Sequence, residues 1–150
     1  MVIVQQRGVN RESWTLALEQ AGENQGRWVF QRTTSDASGA TVLEVRSKVT
    51  VEDLLVGELT TLVATYDRRN DRIALFVNGA ESTQESDPTT GAVHQAAFTT
   101  PWAARGDLLV GSGMLNGVAA PFAGEIERVD AFAGAADRNL ASAYNDATKP

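Results

Sequence analysis

In the stretches between turns from Trp14 to Val49, apolar residues recur at every second position, and this period of two constrains the chain more than any other feature. Side chains alternate faces along a strand and return every 3.6 residues along a helix, so the pattern predicts extended chain. Trp14, Leu16 and Leu18 alternate with Thr15, Ala17 and Glu19, and Trp28-Val29-Phe30 follows the turn-rich stretch 21–26. That is a hairpin. Beyond the breaker run 33–39, Leu43, Val45, Ser47 and Val49 alternate with Glu44, Arg46 and Lys48, which predicts a strand with one apolar face and one wet, charged face. Residues 59–66 and 72–77 form the most apolar pair, separated by the polar turn 67–71 and closed by Asn78-Gly79, two residues that tolerate positive φ. A pair so apolar is expected at the centre of its sheet.

Residues 81–100 read as a long polar loop with room for an edge strand; it contains Asp87 and the single histidine, His94. Leu108 to Gly111 and Phe122 to Phe132 are expected to complete the strands. Only the tail changes period: 136–147 places Leu140 and Tyr144 four apart, with Asp137 in the first turn, and predicts one short helix. Strand segments throughout, with one late helix, predict an all-β, two-sheet antiparallel sandwich of jelly-roll type occupying residues 1–150 as one domain.

Four segments carry a family resemblance: Gly26-Arg27-Trp28-Val29-Phe30; Leu62 to Asp67 with Leu75 to Gly79; Thr100-Pro101-Trp102 with Gly106, Leu108, Val110 and Gly111; and Phe122 to Val129. In order and spacing the chain resembles laminin-G-like, concanavalin A-like domains. The resemblance implies two stacked antiparallel sheets whose loops or concave face contact a glycan or a protein, commonly within a large secreted chain. It also implies one or two further strands ahead of Val2 to Gln6, which are not present here. The expectation is that Val2-Ile3-Val4 and Phe122 to Phe132 form unprotected edges, filled by a strand-completing partner or by a homo-oligomer.

Composition narrows the chemistry. There are no cysteines, so disulfides, thiolate metal sites and thiol nucleophiles are excluded. Thirteen Lys and Arg against 19 Asp and Glu give a net charge of -6, which repels nucleic acid and anionic membrane surfaces. No run of 18 apolar residues predicts a membrane helix, and residues 1–7 do not read as a secretory signal. Placement in a secreted or surface-exposed assembly therefore follows from the resemblance alone.

Glu125, Glu127 and Asp130 call to mind the carboxylate strand of jelly-roll glycoside hydrolases, in which two carboxylates flank a glycosidic bond at roughly 5–5.5 Å. The order of residues does not match, and Glu125 and Asp130 fall on opposite faces of a regular strand. Asp67, Asn70 and Asp71 have the short spacing of a calcium loop, although an Asp-rich turn arises for conformational reasons alone. No cofactor is expected, with calcium left open. Gly111-Ser112-Gly113 lacks the lysine of a phosphate loop. Trp14 and Trp28 are expected in the core, while Trp102, flanked by Pro101 and Gly106, is expected in a loop. The reading is a non-catalytic binding or adhesion module whose ligand contacts are Asp87, His94, Trp102 and Asn116. A structural assembly domain that completes its sheet with another chain is the alternative, and a glycoside hydrolase the third.

Overall fold

The structure, a computed structural model, describes residues 1–23, 25–48, 50–51, 59–81 and 95–148. Five strands lie side by side in a first sheet, in the order β10 (Leu108–Val110), β1 (Val2–Arg7), β2 (Glu12–Gly22), β3 (Gln25–Thr33) and β4 (Val42–Arg46), and β5 (Thr50–Val51) also pairs with β3. The second sheet places β6 (Leu62–Asp67) beside β7 (Arg72–Val77). On the far side of β7 lie β8 (Ala80–Glu81) and β9 (Gln95–Ala97). A small hairpin, β11 (Met114–Leu115) and β12 (Val118–Ala119), and a helix, α1 (Arg138–Thr148), complete the elements. All pairings are antiparallel.

The period-two reading accounts for how the sheets stack. Leu16 pairs with Phe30 and Phe30 with Val45, so these residues share one face with Trp28 and Leu18. That face meets Ile73 and Leu75 of β7 and Phe98, all fully buried, with Leu62, Ala64 and Tyr66 of β6 packed at the margin. Trp14 packs edge-on against Phe30 at 6.5 Å, and Tyr66 against Phe98 at 5.5 Å. Arg32 enters the same layer, its guanidinium 4.8 Å from the ring centres of both Tyr66 and Phe98. The aromatic faces replace part of the hydration lost there. Burial still holds the Arg32 pKa below its ordinary value.

The opposite face of the second sheet carries Val63, Ala74 and Phe76, and α1 covers it with Ala141. Asp137 stands just before the helix and accepts a hydrogen bond from the Leu140 N–H at 2.9 Å, an N-cap. The helix turns Ala141 and Asn145 inward and leaves Leu140 58% exposed, so the expected Leu140–Tyr144 stripe is not its buried face. Small residues face the sheet because the approach is close: a Cβ on Gly79 would lie 2.9 Å from the Cα of Ser142.

Three further expectations are corrected. Phe122 to Phe132 forms no strand; Phe122 and Ile126 reach the core while Glu125, Glu127 and Val129 face solvent. Without a neighbouring strand to complete a ladder, alternation alone does not hold this segment extended. Val2 to Val4 is not an edge, because β1 pairs with β2 on one side and with β10 on the other. β6 is not central, because its only strand partner among the described residues is β7.

Candidate functional site

The charged face of the first sheet proves to be largely covered. Val2, Ala17 and Val29 are buried on it beneath Leu115 and Ala120, and Gln5, Thr15, Gln31 and Thr33 are buried beside them. Gln5 is what holds the cover in place. Its side-chain Nε2 donates to the Thr15 hydroxyl at 2.8 Å and to the Met114 carbonyl at 2.6 Å, while its Oε1 accepts from the Met114 N–H at 3.0 Å. One buried amide thus docks the β11–β12 hairpin onto the sheet with its hydrogen-bonding groups paired. At the tip of that hairpin Asn116 and Gly117 have φ of 53° and 80°, the two-residue turn that an Asn-Gly pair favours.

A second turn, residues 8–11 between β1 and β2, faces this tip. Asp36 holds it: the carboxylate accepts the N–H groups of Val9 at 2.9 Å and of Asn10 and Arg11 at 2.8 Å each. The Val9 and Asn10 donors, with Arg11, keep the Asp36 pKa below its ordinary value of 3.8. Arg11 is anchored in turn by its Nη1 donating to the Ser38 carbonyl at 3.2 Å. Behind the turn stands Trp102, whose indole N–H donates to the Thr33 carbonyl at 2.9 Å. A Cβ on Gly8 would fall 2.5 Å from the Trp102 ring, so only glycine admits the indole there.

Between the two turns lies an open cleft of about 420 Å³ lined by Arg7, Asn10, Arg11, Glu12, Met114, Asn116 and Gly117. A smaller space of about 20 Å³ shares Arg11, Glu12, Met114 and Asn116 with it and extends to Thr15, Gln31 and Thr33. That volume suits one water among polar groups. The cleft offers guanidinium and amide donors and one carboxylate, Glu12, whose Oε2 is 3.7 Å from Arg11 Nε. Val9, 80% exposed, stands on the 8–11 turn, and Val118, 67% exposed, stands on β12 just past the Asn116-Gly117 turn.

Of the expected contact residues, the structure places Asn116 in this cleft. Trp102 is a half-buried prop for the turn that forms one wall, and it does not line the cleft. Asp87 and His94 lie outside the described residues. Arg7, Asn10, Arg11 and Glu12 were not singled out from the sequence; Gly8 followed by Asn10, bounding a strand, was the available signal for a turn. Glu125 and Glu127 are exposed on the irregular segment and share no strand face, while Asp130 accepts hydrogen bonds from Arg128 Nε at 2.6 Å and from the Tyr144 hydroxyl. In the 67–71 turn the Asp67 carboxylate accepts from the N–H of Arg69 at 2.9 Å and from the side-chain amide of Asn70 at 2.6 Å. Those bonds, with Asp71 at a φ of 46°, account for the acidic turn as backbone geometry. Among the described residues there is no cluster of three or more metal-ligating side chains, and no helix is long and apolar enough to cross a membrane. Comparison with protein-family models, with curated proteins and with solved structures found no match to this chain.

Proposed function

We propose that this chain is a non-catalytic binding module, within a larger extracellular or surface assembly, that takes a glycan in the cleft between the β1–β2 turn and the β11–β12 hairpin. The observation that carries the reading is the combination of Arg7, Asn10, Arg11, Glu12 and Asn116 in one open cleft whose two walls are each fixed from behind. Sugar hydroxyls are paired donors and acceptors, and guanidinium, amide and carboxylate groups match them with two-pronged hydrogen bonds. Walls held by Gln5 and Asp36 have little ordering left to lose on binding, which favours affinity. The resemblance to laminin-G-like domains supports the same class. Among the described residues the cleft holds one carboxylate, Glu12, which favours binding over hydrolysis, because glycoside cleavage takes a pair.

A glycan array probed with the intact chain tests the reading. Specific retention of one or a few glycans is expected, and Asn116→Ala and Arg11→Ala should each weaken it by about tenfold, the loss of one paired hydrogen-bonding group. Retention of no glycan, or retention unaffected by both substitutions, would contradict it. Release of reducing sugar from a bound glycan would contradict the non-catalytic part.

A further inference from the structure

The chain holds two Asn-Gly pairs, Asn78-Gly79 and Asn116-Gly117, and each forms the two-residue turn of a hairpin. The asparagines have φ of 51° and 53°, the glycines 75° and 80°. The turns are alike in sequence and in backbone, and both carry the same latent reaction. An asparagine side-chain carbonyl carbon can reach the next backbone nitrogen, and a following glycine has no Cβ to keep the two apart. What differs between the pairs is their surroundings.

Asn78-Gly79 is locked. The Asn78 Oδ1 accepts the Thr61 N–H at 2.9 Å and the Asn78 N–H donates to the Thr61 carbonyl at 2.8 Å, which ties down both side chain and backbone. Gly79 is buried under α1, where a Cβ would lie 2.9 Å from the Cα of Ser142 and 3.2 Å from the Cβ of Asn145. To lay its side chain on the Gly79 nitrogen, Asn78 has to break its bonds to Thr61 and press the turn into the helix.

Asn116-Gly117 is free of these constraints. Residues 116–119 are all exposed, and nothing lies within 4 Å of a Cβ placed on Gly117. Among the described residues no hydrogen bond reaches the Asn116 side chain or the Gly117 N–H. Gln5 fixes the hairpin at Met114, and the ladder ends at the Leu115–Val118 pair, so the tip beyond it rearranges without disturbing a core contact.

We propose that Asn116 is a site of spontaneous covalent modification, converting to aspartate and isoaspartate, while the fold protects Asn78. The Gly117 nitrogen bonds to the Asn116 Cγ, and the bond from Cγ to the side-chain nitrogen breaks. That nitrogen leaves as ammonia, taking up through solvent the proton that the Gly117 N–H gives up. Water then opens the cyclic imide. Breaking the bond from the ring nitrogen to Cγ leaves an aspartate; breaking the bond from the ring nitrogen to the backbone carbonyl carbon leaves an isoaspartate, in which the main chain runs through the side chain. Water is consumed and ammonia released, with no other reactant. Either product adds a carboxylate to the cleft that Arg7, Arg11 and Glu12 line. The conversion itself needs only the exposed turn, whatever the cleft binds.

Trypsin separates the two pairs, because fragment 73–105 contains Asn78 and fragment 106–128 contains Asn116, each without another asparagine. The intact chain is incubated in mildly alkaline buffer, which favours loss of the amide proton. Samples are digested briefly, and mass spectrometry follows chromatographic separation of the aspartate and isoaspartate forms. Fragment 106–128 should gain the mass of the amide-to-acid change at least about tenfold faster than fragment 73–105. In denaturant, where the bonds to Thr61 and the cover of α1 are gone, the two rates should converge. Equal rates in the folded chain, faster conversion of fragment 73–105, no conversion at Asn116, or a difference that persists in denaturant would overturn the proposal.

Discussion

β1 and β6 are each six residues long and each carries at least three apolar residues, yet they occupy opposite situations. β1 is paired on both sides, and Val2 to Gln5 are buried throughout; among the described residues β6 is paired on one side, and only Thr65 among its residues is buried. The difference lies in what returns to each strand. β10 comes back to β1 across about a hundred residues of chain, whereas the segment that reaches β6 after Phe122 arrives without strand geometry. Phe122 and Ile126 pack into the same core layer as Leu62, Ala64 and Tyr66, and the Ala136 N–H donates to the Thr65 hydroxyl at 3.0 Å. A strand's own sequence sets its faces; its place in the sheet is set by distant chain.

Substitution measures that difference. Leu75, fully buried on β7 between the two sheets, should lose about 2–5 kcal/mol as Leu75→Ala. Leu62→Ala on the half-buried β6 should lose less than Leu75→Ala, and Leu108→Ala, at a side chain 47% exposed on β10, less than about 0.5 kcal/mol. Denaturant unfolding of the three variants ranks them, and equal losses at Leu75 and Leu108 would mean that Leu108 is buried as deeply as the core.

The covered face of the first sheet should be nearly as sensitive as the core. Gln5→Ala leaves the Thr15 hydroxyl and the Met114 amide and carbonyl without their partner, a loss of about 1–3 kcal/mol. It should also free the β11–β12 hairpin, so glycan affinity falls with stability. A variant that keeps full affinity would show that Gln5 does not fix the wall. At the helix, Asp137→Ala removes the cap from Leu140 and should cost about 0.5–2 kcal/mol by thermal unfolding.

The smallest effect is one of pH. The Asp36 carboxyl titrates below its ordinary value of 3.8 in the folded chain, so its stabilisation of the β1–β2 turn is complete above that value and fades as pH falls through the depressed one. The amide resonances of Val9, Asn10 and Arg11 should therefore shift together only below pH 3.8, and Asp36→Asn should remove the shift. Movement of those resonances near neutral pH would point to another group.

Much of the fold is legible in the sequence because it is local. Alternation at Trp14, Leu16 and Leu18 against Trp28 and Phe30 gives the β2–β3 hairpin with the correct face inward, and Asn78-Gly79 ends β7 where expected. Leu43 and Val45 share a face as expected, but Glu44 and Arg46 on the other face are half-buried and form an ion pair at 2.5 Å. Val2, Ala17 and Val29 on that face are covered by the β11–β12 hairpin, which Gln5 attaches, and a buried glutamine has no periodic signature. The cleft was legible only at Asn116, through its turn; Asn10 and Arg11 join it because Asp36, 26 and 25 residues away, holds their turn beside the hairpin. Phe122 to Phe132 has the alternation of a strand and lacks the neighbour that would make it one.

Residue-resolved amide hydrogen exchange on the intact, unliganded chain tests most directly the contrast between the closed strand and the open one. Val63 and Thr65, bonded to β7, should exchange slowly, as should the amides of Val4 and Gln5 in β1. Leu62, Ala64 and Tyr66 should exchange faster than their neighbours by orders of magnitude, in strict alternation along β6. Uniform protection from Leu62 to Tyr66 would contradict the account, because it would mean that β6 already has a second neighbour.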